Sequence, residues 1–223
     1  MHKIEIPQWA IERGRSMNRF DSIEPEKTAL LVIDMQNWFI VPGQTFANAN
    51  TLETVPNINK LASTLRAGGG HVMWSRQAVV AEGPGKPPAW IQNNPQGPNA
   101  DSRIHLKPGA FGHALYEGLD IARDDTVFDK YRYSAFCNAA IDVDQHLRSR
   151  GIDTVIVTGT VTNCCCESTA RDAMMRDYKV LFATDATSAV TDEEHNAALL
   201  NVQIAIADVR DTAEILSLLE QRR

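Results

Sequence analysis

Three residues in this sequence carry side chains that together could perform acyl transfer to a thiol. Asp34 ends an apolar run, Lys130 ends the predicted strand DTVFDK, and Cys165 follows shortly after a second apolar run. A thiolate attacks carbonyl carbon, a nearby carboxylate can accept the thiol proton, and an adjacent ammonium lowers the thiol pKa. A helix that begins near Cys165 would lower that pKa further. If folding brings the three residues together, they suit a cysteine-dependent acyl-transfer site.

Each of the three residues also has an ordinary structural explanation when it is considered alone. An aspartate after a buried strand often forms a turn or caps a helix, and a lysine at a strand end is usually solvated. Buried cysteines are mostly small apolar residues, which is our interpretation of Cys137, Cys164 and Cys166. The catalytic hypothesis therefore depends on whether one edge of the fold collects all three side chains.

The apolar runs themselves indicate how these residues are positioned. They do not alternate between apolar and polar residues, which is typical of strands buried on both faces of a parallel sheet. Between them lie segments with apolar residues at helical spacing, some of which end at glycines. Strands are predicted at residues 28–34, 71–75, 125–130, 154–158, 179–183 and 207–209, and helices at 55–66, 139–150, 165–176, 192–205 and 212–219.

The alternation of strands and helices predicts a three-layer α/β/α fold. Its mostly parallel, doubly wound sheet would contain about six strands. In such a sheet the carboxyl ends of the strands lie at one edge, where ligands bind. We therefore expect Asp34, Lys130 and Cys165 to converge at this edge.

The length of 223 residues fits one domain better than two. We expect residues 25–223 to form this domain and residues 1–24 to form an N-terminal extension. The stretch 78–109 is rich in proline and glycine. A loop of that length inside a compact domain is usually a lid or a binding loop.

The composition excludes several classes of protein. Hydrophobic residues make up 43% of the chain and charged residues 22%, which is ordinary for a globular domain. The net charge of −6 argues against nucleic acid or an anionic membrane surface as a partner. No apolar stretch approaches the ~20 residues that span a bilayer, and the four cysteines, three of them adjacent, form no disulfide framework. We expect a cytoplasmic protein that acts on a small molecule.

Three segments resemble the signature motifs of the isochorismatase-like cysteine hydrolase superfamily. They read LVIDMQNWF at 31–39, DKYRYSAF at 129–136 and GTVTNCCCESTARDA at 159–173. The resemblance implies that Asp34 is the general base, Lys130 the charge-stabilising partner and Cys165 the nucleophile. Cys165 is chosen over its neighbours because the family cysteine lies six residues after a glycine and four before a Thr-Ala pair.

The resemblance also indicates the kind of bond that is cleaved. Isochorismatases proper lack the cysteine, so its presence points to hydrolysis of an amide, ureido or carbamoyl C–N bond through a thioester. The strings at 130–138, 147–151 and 166–169 look most like the ureidoacrylate amidohydrolase branch. A nicotinamidase or an N-carbamoylsarcosine-type amidase remains an alternative. An alternative of another class is a catalytically idle family member that serves as a binding or scaffold protein. The presence of all three triad residues argues against this alternative.

Further expectations follow from the same family. No cofactor is required, and no metal is expected, because residues 46–50 lack the metal-binding Asp-x-His pair of nicotinamidases. Backbone N–H groups at Val161 and Thr162, in a turn with a non-proline cis peptide, would hold the oxyanion together with that of Cys165. The family also suggests a homo-oligomer, either a dimer or a tetramer.

The walls of the substrate pocket are the least defined part of the site. The aromatic candidates are Trp74, Tyr133 and Phe136. For each of them, packing in the core is an equally good interpretation. The sequence alone leaves these two interpretations open.

Overall fold

A computed structural model of the protein describes residues 1–83, 85–87 and 101–221, and within these ranges strands and helices alternate. The strands are β1 (Thr28–Ile33), β2 (His71–Gln77), β3 (Thr126–Lys130), β4 (Thr154–Thr160), β5 (Lys179–Ser188) and β6 (Asp208–Arg210). The helices are α1 (Gln8–Asn18), α2 (Asn37–Ile40), α3 (Ala49–Ala67), α4 (Ser102–His105), α5 (Val143–Arg148), α6 (Glu167–Met174), α7 (Asp192–Ala205) and α8 (Thr212–Glu220).

The strands form one sheet in the order β3-β2-β1-β4-β5-β6. All neighbouring pairs in this order are parallel. The chain moves outward from β1 in one direction and from β4 in the other, so the order reverses between these two strands. Open α/β sheets bind ligands beyond the carboxyl ends of the strands at such a reversal. The predicted doubly wound parallel sheet is confirmed.

Strand β1 shows why the sheet has a helical layer on each face. All six of its residues are buried. Because successive side chains of a strand point to opposite faces, Leu31 and Ile33 contribute to one core while Leu30 and Val32 contribute to the other. Helices α5, α6 and α7 cover the first core, and α3 and α8 cover the second. The continuous apolar run therefore reflects a strand between two layers.

Several helices differ from their predicted bounds because of capping side chains. Helix α3 begins earlier than predicted, since the Asn48 side chain accepts a hydrogen bond from the Thr51 N–H at 3.0 Å. Helix α5 begins later, since Asp142 accepts from the Gln145 N–H at 3.0 Å. Helix α1, which packs against α7, was not predicted. Positions 84 and 88–100 of the predicted 78–109 loop lie outside the described residues.

Two further features concern the surface. Within the part of the chain that the structure describes, no helix combines the length and the apolar character that a membrane crossing requires. A cleft of about 1130 Å³ opens at the amino-terminal edge of the sheet, where its lining includes Pro25, Gly68 and Lys179. This cleft lies at the opposite edge from Asp34 and Cys165.

Gly159 in β4 is a position where a side chain cannot be accommodated. Its φ is +102°, and an added Cβ would lie 2.1 Å from the Ile33 carbonyl oxygen. We expect Gly159→Ala to reduce the free energy of unfolding by about 3 kcal/mol or more, because backbone strain and a backbone clash add. Urea unfolding measures this. The matched control is Gly151→Ala, with φ +71° and open space around the new Cβ, which is expected to cost only about 1–2 kcal/mol; equal losses would contradict the clash.

Candidate active site

The carboxyl edge of the sheet brings together the three residues singled out by the sequence. Asp34 follows β1, Lys130 ends β3, and Cys165 lies in the turn after β4. The Lys130 Nζ is 2.7 Å from Asp34 Oδ2 and 3.4 Å from Cys165 Sγ. Asp34 and Lys130 are fully buried, and Cys165 is 6% exposed. The predicted convergence is therefore observed, in a site that is almost entirely buried.

The Lys130 ammonium is held in place by two further acceptors. It donates to Gln77 Oε1 at 2.8 Å and to the Arg132 carbonyl oxygen at 2.9 Å. An ammonium group has three N–H donors and no acceptor. Surrounded by these oxygens, the carboxylate and the thiol, it is fixed as a buried positive charge beside Cys165.

Asp34 is held by the neighbouring strand and has an unusual backbone conformation. Its φ is +51°, in the left-handed region that non-glycine residues seldom adopt and that is enriched at functional sites. Its N–H lies 3.2 Å from the Ser75 carbonyl oxygen, and the Ser75 hydroxyl donates to Oδ1 at 2.8 Å. The other oxygen, Oδ2, is thereby directed at the Lys130 ammonium.

The turn that carries Cys165 connects β4 to α6. The peptide bond between Thr160 and Val161 is cis and lies in the turn for which a non-proline cis peptide was expected. The Val161 carbonyl oxygen accepts from the N–H groups of Cys164 and Cys166 at 3.1 and 3.2 Å. Residues Thr162–Cys166 form a single π-helical turn, after which α6 begins. This wide turn places the Cys165 side chain towards Lys130.

A threonine in α6 ties the cysteine turn to the segment after β3. The Thr169 hydroxyl donates to the Cys165 carbonyl oxygen at 2.7 Å and accepts from the Ala135 N–H at 3.1 Å. Thr169 is fully buried. The nucleophile motif and the lysine motif are thus connected by direct hydrogen bonds as well as by the ammonium.

The electrostatics of the thiol differ from the prediction. Burial raises the pKa of Cys165; the Lys130 ammonium opposes this, but the Asp34 carboxylate raises the pKa as well, and the net shift is upward. For Lys130, burial lowers the pKa, yet Asp34 and Cys165 outweigh it, so this pKa is raised and the ammonium stays charged. The expected low thiol pKa is therefore wrong for the resting site, because desolvation exceeds the effect of the cation.

The other cysteines have different environments. Cys166 is fully buried, its thiol lies 3.7 Å from the Thr158 carbonyl oxygen, and burial raises its pKa. Cys164 is partly exposed and Cys137 is exposed. Burial also raises the pKa of Cys164. Of the four thiols, only that of Cys165 has a hydrogen bond from Lys130.

The three aromatic candidates for the pocket lie in different places. Trp74 is fully buried in the core beneath α3, and its indole N–H donates to Asp125 Oδ2 at 2.8 Å. The structure therefore places Trp74 in the core on the α3 side, whereas Cys165 belongs to the core on the other face of the sheet. Its proposed pocket role is not supported, because its side chain points to the opposite face of the sheet.

Tyr133 and Phe136 follow β3 but have different surroundings. Tyr133 is half exposed; burial of the remainder raises its pKa, with Cys164 and Cys165 contributing. The Phe136 ring lies 5.8 Å from the Tyr178 ring, and the Arg176 guanidinium lies 5.4 Å from the Phe136 ring centre. Tyr133 is thus the aromatic candidate with a close electrostatic relation to the thiol, and its role in the pocket stays a prediction.

Sequence reasoning missed three polar residues that support the site. Ser75 and Gln77 lie at the end of β2 and contact Asp34 and Lys130, respectively. The buried Gln36 side chain accepts from the Gln77 N–H at 2.8 Å and donates to its carbonyl oxygen at 3.0 Å. The strand-end rule that identified Asp34 could also have identified Ser75 and Gln77.

Comparisons with known proteins agree with the fold. The isochorismatase domain model matches residues 28–214. The ureidoacrylate amidohydrolase RutB of Methylobacterium radiotolerans is 34% identical over 89% of this chain and 81% of its own length. A cysteine hydrolase structure from Pseudomonas syringae pv. phaseolicola has a TM-score of 0.80 at 32% identity, covering 92% of this chain and 97% of that one. The structure of N-carbamoylsarcosine amidase from Thermoplasma acidophilum has a TM-score of 0.66 at 28% identity, covering 83% of this chain and 96% of that one.

Proposed function

This chain belongs to the isochorismatase family, and we propose that it hydrolyses a C–N bond of a ureidoacrylate-like small molecule through a thioester on Cys165. The observation that carries the proposal is the contact of the Lys130 ammonium with both Asp34 and Cys165 in a buried site. Relatives named as amidohydrolases and amidases support the class of bond.

The reaction begins from a neutral thiol beside a carboxylate. Asp34 accepts the thiol proton as Cys165 Sγ attacks the substrate carbonyl carbon, so the thiolate forms only when it reacts. Lys130 remains protonated and stabilises the negative charge on sulfur. The C–N bond of the tetrahedral intermediate then breaks, and Asp34 returns its proton to the leaving nitrogen. Water, deprotonated by Asp34, hydrolyses the thioester and releases the thiol.

The negative charge on the carbonyl oxygen requires its own donors. We assign this role to the backbone N–H groups of Val161, Thr162 and Cys165, which lie in the turn after β4. One such donor is commonly worth about 3 kcal/mol of the barrier. Because these donors belong to the main chain, their position depends on how the turn is held.

An ammonia-release assay tests the function. The purified protein is assayed with ureidoacrylate analogues, N-carbamoyl amino acids, nicotinamide and simple aryl amides, with Cys165→Ala as the blank. We expect Cys165-dependent release that is fastest with the ureidoacrylate analogues. Preference for N-carbamoyl amino acids would support the second candidate, which the similarity to N-carbamoylsarcosine amidase favours. Release from none of the substrates would contradict an enzymatic role and favour a binding protein.

The hydrolysis is expected to survive removal of metal ions. Among the described residues, no three His, Cys, Asp or Glu side chains are placed to hold a metal ion. The mechanism above uses only side chains and backbone of this chain. Dialysis against EDTA, followed by the assay and metal analysis, measures this. A stoichiometric metal whose removal abolishes activity would contradict it.

We also propose that the protein acts as a cytoplasmic homo-oligomer, a dimer or a tetramer. The family resemblance supports the oligomer, and the four free cysteines support the compartment, since disulfides are rare in cytosolic proteins. Light scattering coupled to size exclusion determines the oligomeric state. A monomer at assay concentrations would contradict the oligomer.

A further inference from the structure

The turn that carries Cys165 is held from α7 by a buried histidine. His195 is fully buried, and its Nε2 lies 3.1 Å from the Thr184 carbonyl oxygen. A carbonyl oxygen can only accept, so Nε2 carries the ring proton and Nδ1 is an acceptor. That Nδ1 lies 2.9 Å from the Thr162 hydroxyl, which therefore donates to it. The hydrogen bonds at the two nitrogens fix both the tautomer and the direction of the Thr162 hydroxyl.

The acceptor is present throughout the neutral pH range. Burial, together with the neighbouring His2, lowers the pKa of His195 to about 4, although the hydrogen bond to Thr184 opposes this shift. A neutral ring at pH 7 keeps its Nδ1 lone pair available. The Thr162 hydroxyl thus has a permanent partner on the side of the turn that faces α7.

The N-terminal segment supports the same histidine. The His2 ring stacks on the His195 ring with centroids 4.2 Å apart and planes inclined by 12°. His2 Nδ1 lies 2.7 Å from Asp192 Oδ1, and its Nε2 accepts from the Ala189 N–H at 3.0 Å. Residue 2 therefore belongs to the layer of side chains that supports the turn.

We propose that His195 is a positioning residue for the oxyanion donors, acting through the Thr162 hydroxyl. This inference rests on the proposed function and extends it. Thr162 supplies one of the proposed donors, so a rotation of its peptide unit would misdirect that donor. Donors stabilise a transition state only when they are aimed in advance at the position of the developing charge. His195 reaches neither the thiol nor Lys130 by any hydrogen bond that the structure gives, so its effect is on orientation.

Two substitutions of His195 separate this role from simple packing. His195→Asn keeps an acceptor close to the position of Nδ1, and His195→Gln keeps a donor close to the position of Nε2 but loses the acceptor. Both remove the ring and its stacking on His2. Thr162→Val removes the hydroxyl and preserves the side-chain shape. A control is His146→Gln, whose ring lies against His71 at the amino-terminal edge of the sheet.

The readout is acylation of Cys165 by p-nitrophenyl acetate, followed as a burst of p-nitrophenol. In this step the thiol sulfur bonds to the acetyl carbon, p-nitrophenolate leaves, and Asp34 takes the thiol proton. Because the oxyanion forms here too, the test does not depend on the natural substrate. Alkylation of Cys165 by iodoacetamide, quantified by peptide mapping, forms no oxyanion and reports on the thiol alone.

We expect His195→Gln and Thr162→Val to slow acylation about tenfold or more, somewhat less than the loss of a complete oxyanion donor. His195→Asn is expected to slow acylation far less. The two His195 variants should have the same rate of Cys165 alkylation and the same melting temperature. The double variant Thr162→Val/His195→Gln should be no slower than either single variant, because both break one contact. His146→Gln should acylate like wild type.

Several results would overturn the inference. The inference would be contradicted if His195→Gln acylated at the wild-type rate, or if both His195 variants lost the same factor in acylation rate. It would also be contradicted if the rates of acylation and alkylation fell in parallel. None of these results would affect the proposed function. A wild-type burst with no release of ammonia from any C–N substrate would contradict the proposed function alone. The absence of any Cys165-dependent burst in wild type would contradict the acyl-transfer site and this inference together.

Discussion

Cys165→Ala is expected to abolish hydrolysis, whereas Cys164→Ala and Cys166→Ala should retain most of it. Of the three adjacent thiols, only that of Cys165 contacts the Lys130 ammonium, at 3.4 Å. Cys166 packs in the core with its thiol near the Thr158 carbonyl, and Cys164 has no bond to Lys130 or Asp34 among the contacts of the structure. Loss of a nucleophile in an acyl-transfer triad typically costs about 10⁴-fold to 10⁶-fold in kcat.

The acyl-enzyme itself identifies the nucleophile. Rapid acid quench during turnover, followed by peptide mass mapping, should place the acyl group on Cys165. General alkylation rates are a poor guide here, because the exposed Cys137 is the most accessible thiol. An acyl group on Cys164 or Cys166, or an active Cys165→Ala protein, would contradict the assignment.

Asp34→Asn and Lys130→Met are each expected to lose about 10⁴-fold or more in turnover, and the losses should not add. Their effects on the thiol should be opposite. Lys130 lowers the pKa of Cys165, so its removal should move the midpoint of alkylation at Cys165 to higher pH. Asp34 raises the same pKa, so Asp34→Asn should move this midpoint to lower pH while turnover still falls. A more reactive thiol with less catalysis would be the signature of a lost general base.

Stability must be separated from chemistry in these variants. Either single change leaves one buried charge without its partner, which commonly costs about 3–5 kcal/mol. The double variant Asp34→Asn/Lys130→Met removes both charges, so its melting temperature should recover towards wild type while turnover stays lost. Recovery of turnover in the double variant would show that the single variants failed only through unfolding. Unchanged turnover in folded Lys130→Met would exclude this lysine from the site.

The sequence predicted the convergence of the site because that depends on topology. Asp34, Lys130 and Cys165 each follow or end a strand, and parallel strands share their carboxyl edge whatever the details of packing. The sequence left the role of Trp74 open, because that role depends on which face of its strand the side chain occupies. Trp74 directly follows the apolar residues Val72 and Met73, so no alternation of apolar and polar residues distinguishes the two faces there.

The pKa of the Cys165 thiol and the contacts that hold its turn depend on how deeply the residues are buried in the folded protein. The local sequence does not determine this burial. A helix N-terminus and a lysine are visible along the chain, but complete burial of the group is a property of the packed molecule. His195 is one of several polar residues in α7, with an ordinary spacing in a helical sequence. Its contacts with Thr162 and His2 join positions far apart in the chain, and no sequence motif predicts them.

The protonated resting thiol has a consequence for exposure to oxidants. Peroxide oxidises cysteine through the thiolate, so a buried thiol with a raised pKa reacts slowly. Many cysteine-dependent proteins hold a reactive thiolate at rest and are inactivated by sulfenic and sulfinic acid formation. With a raised resting pKa, Cys165 is expected to be oxidised more slowly between turnovers than a thiol held as a thiolate.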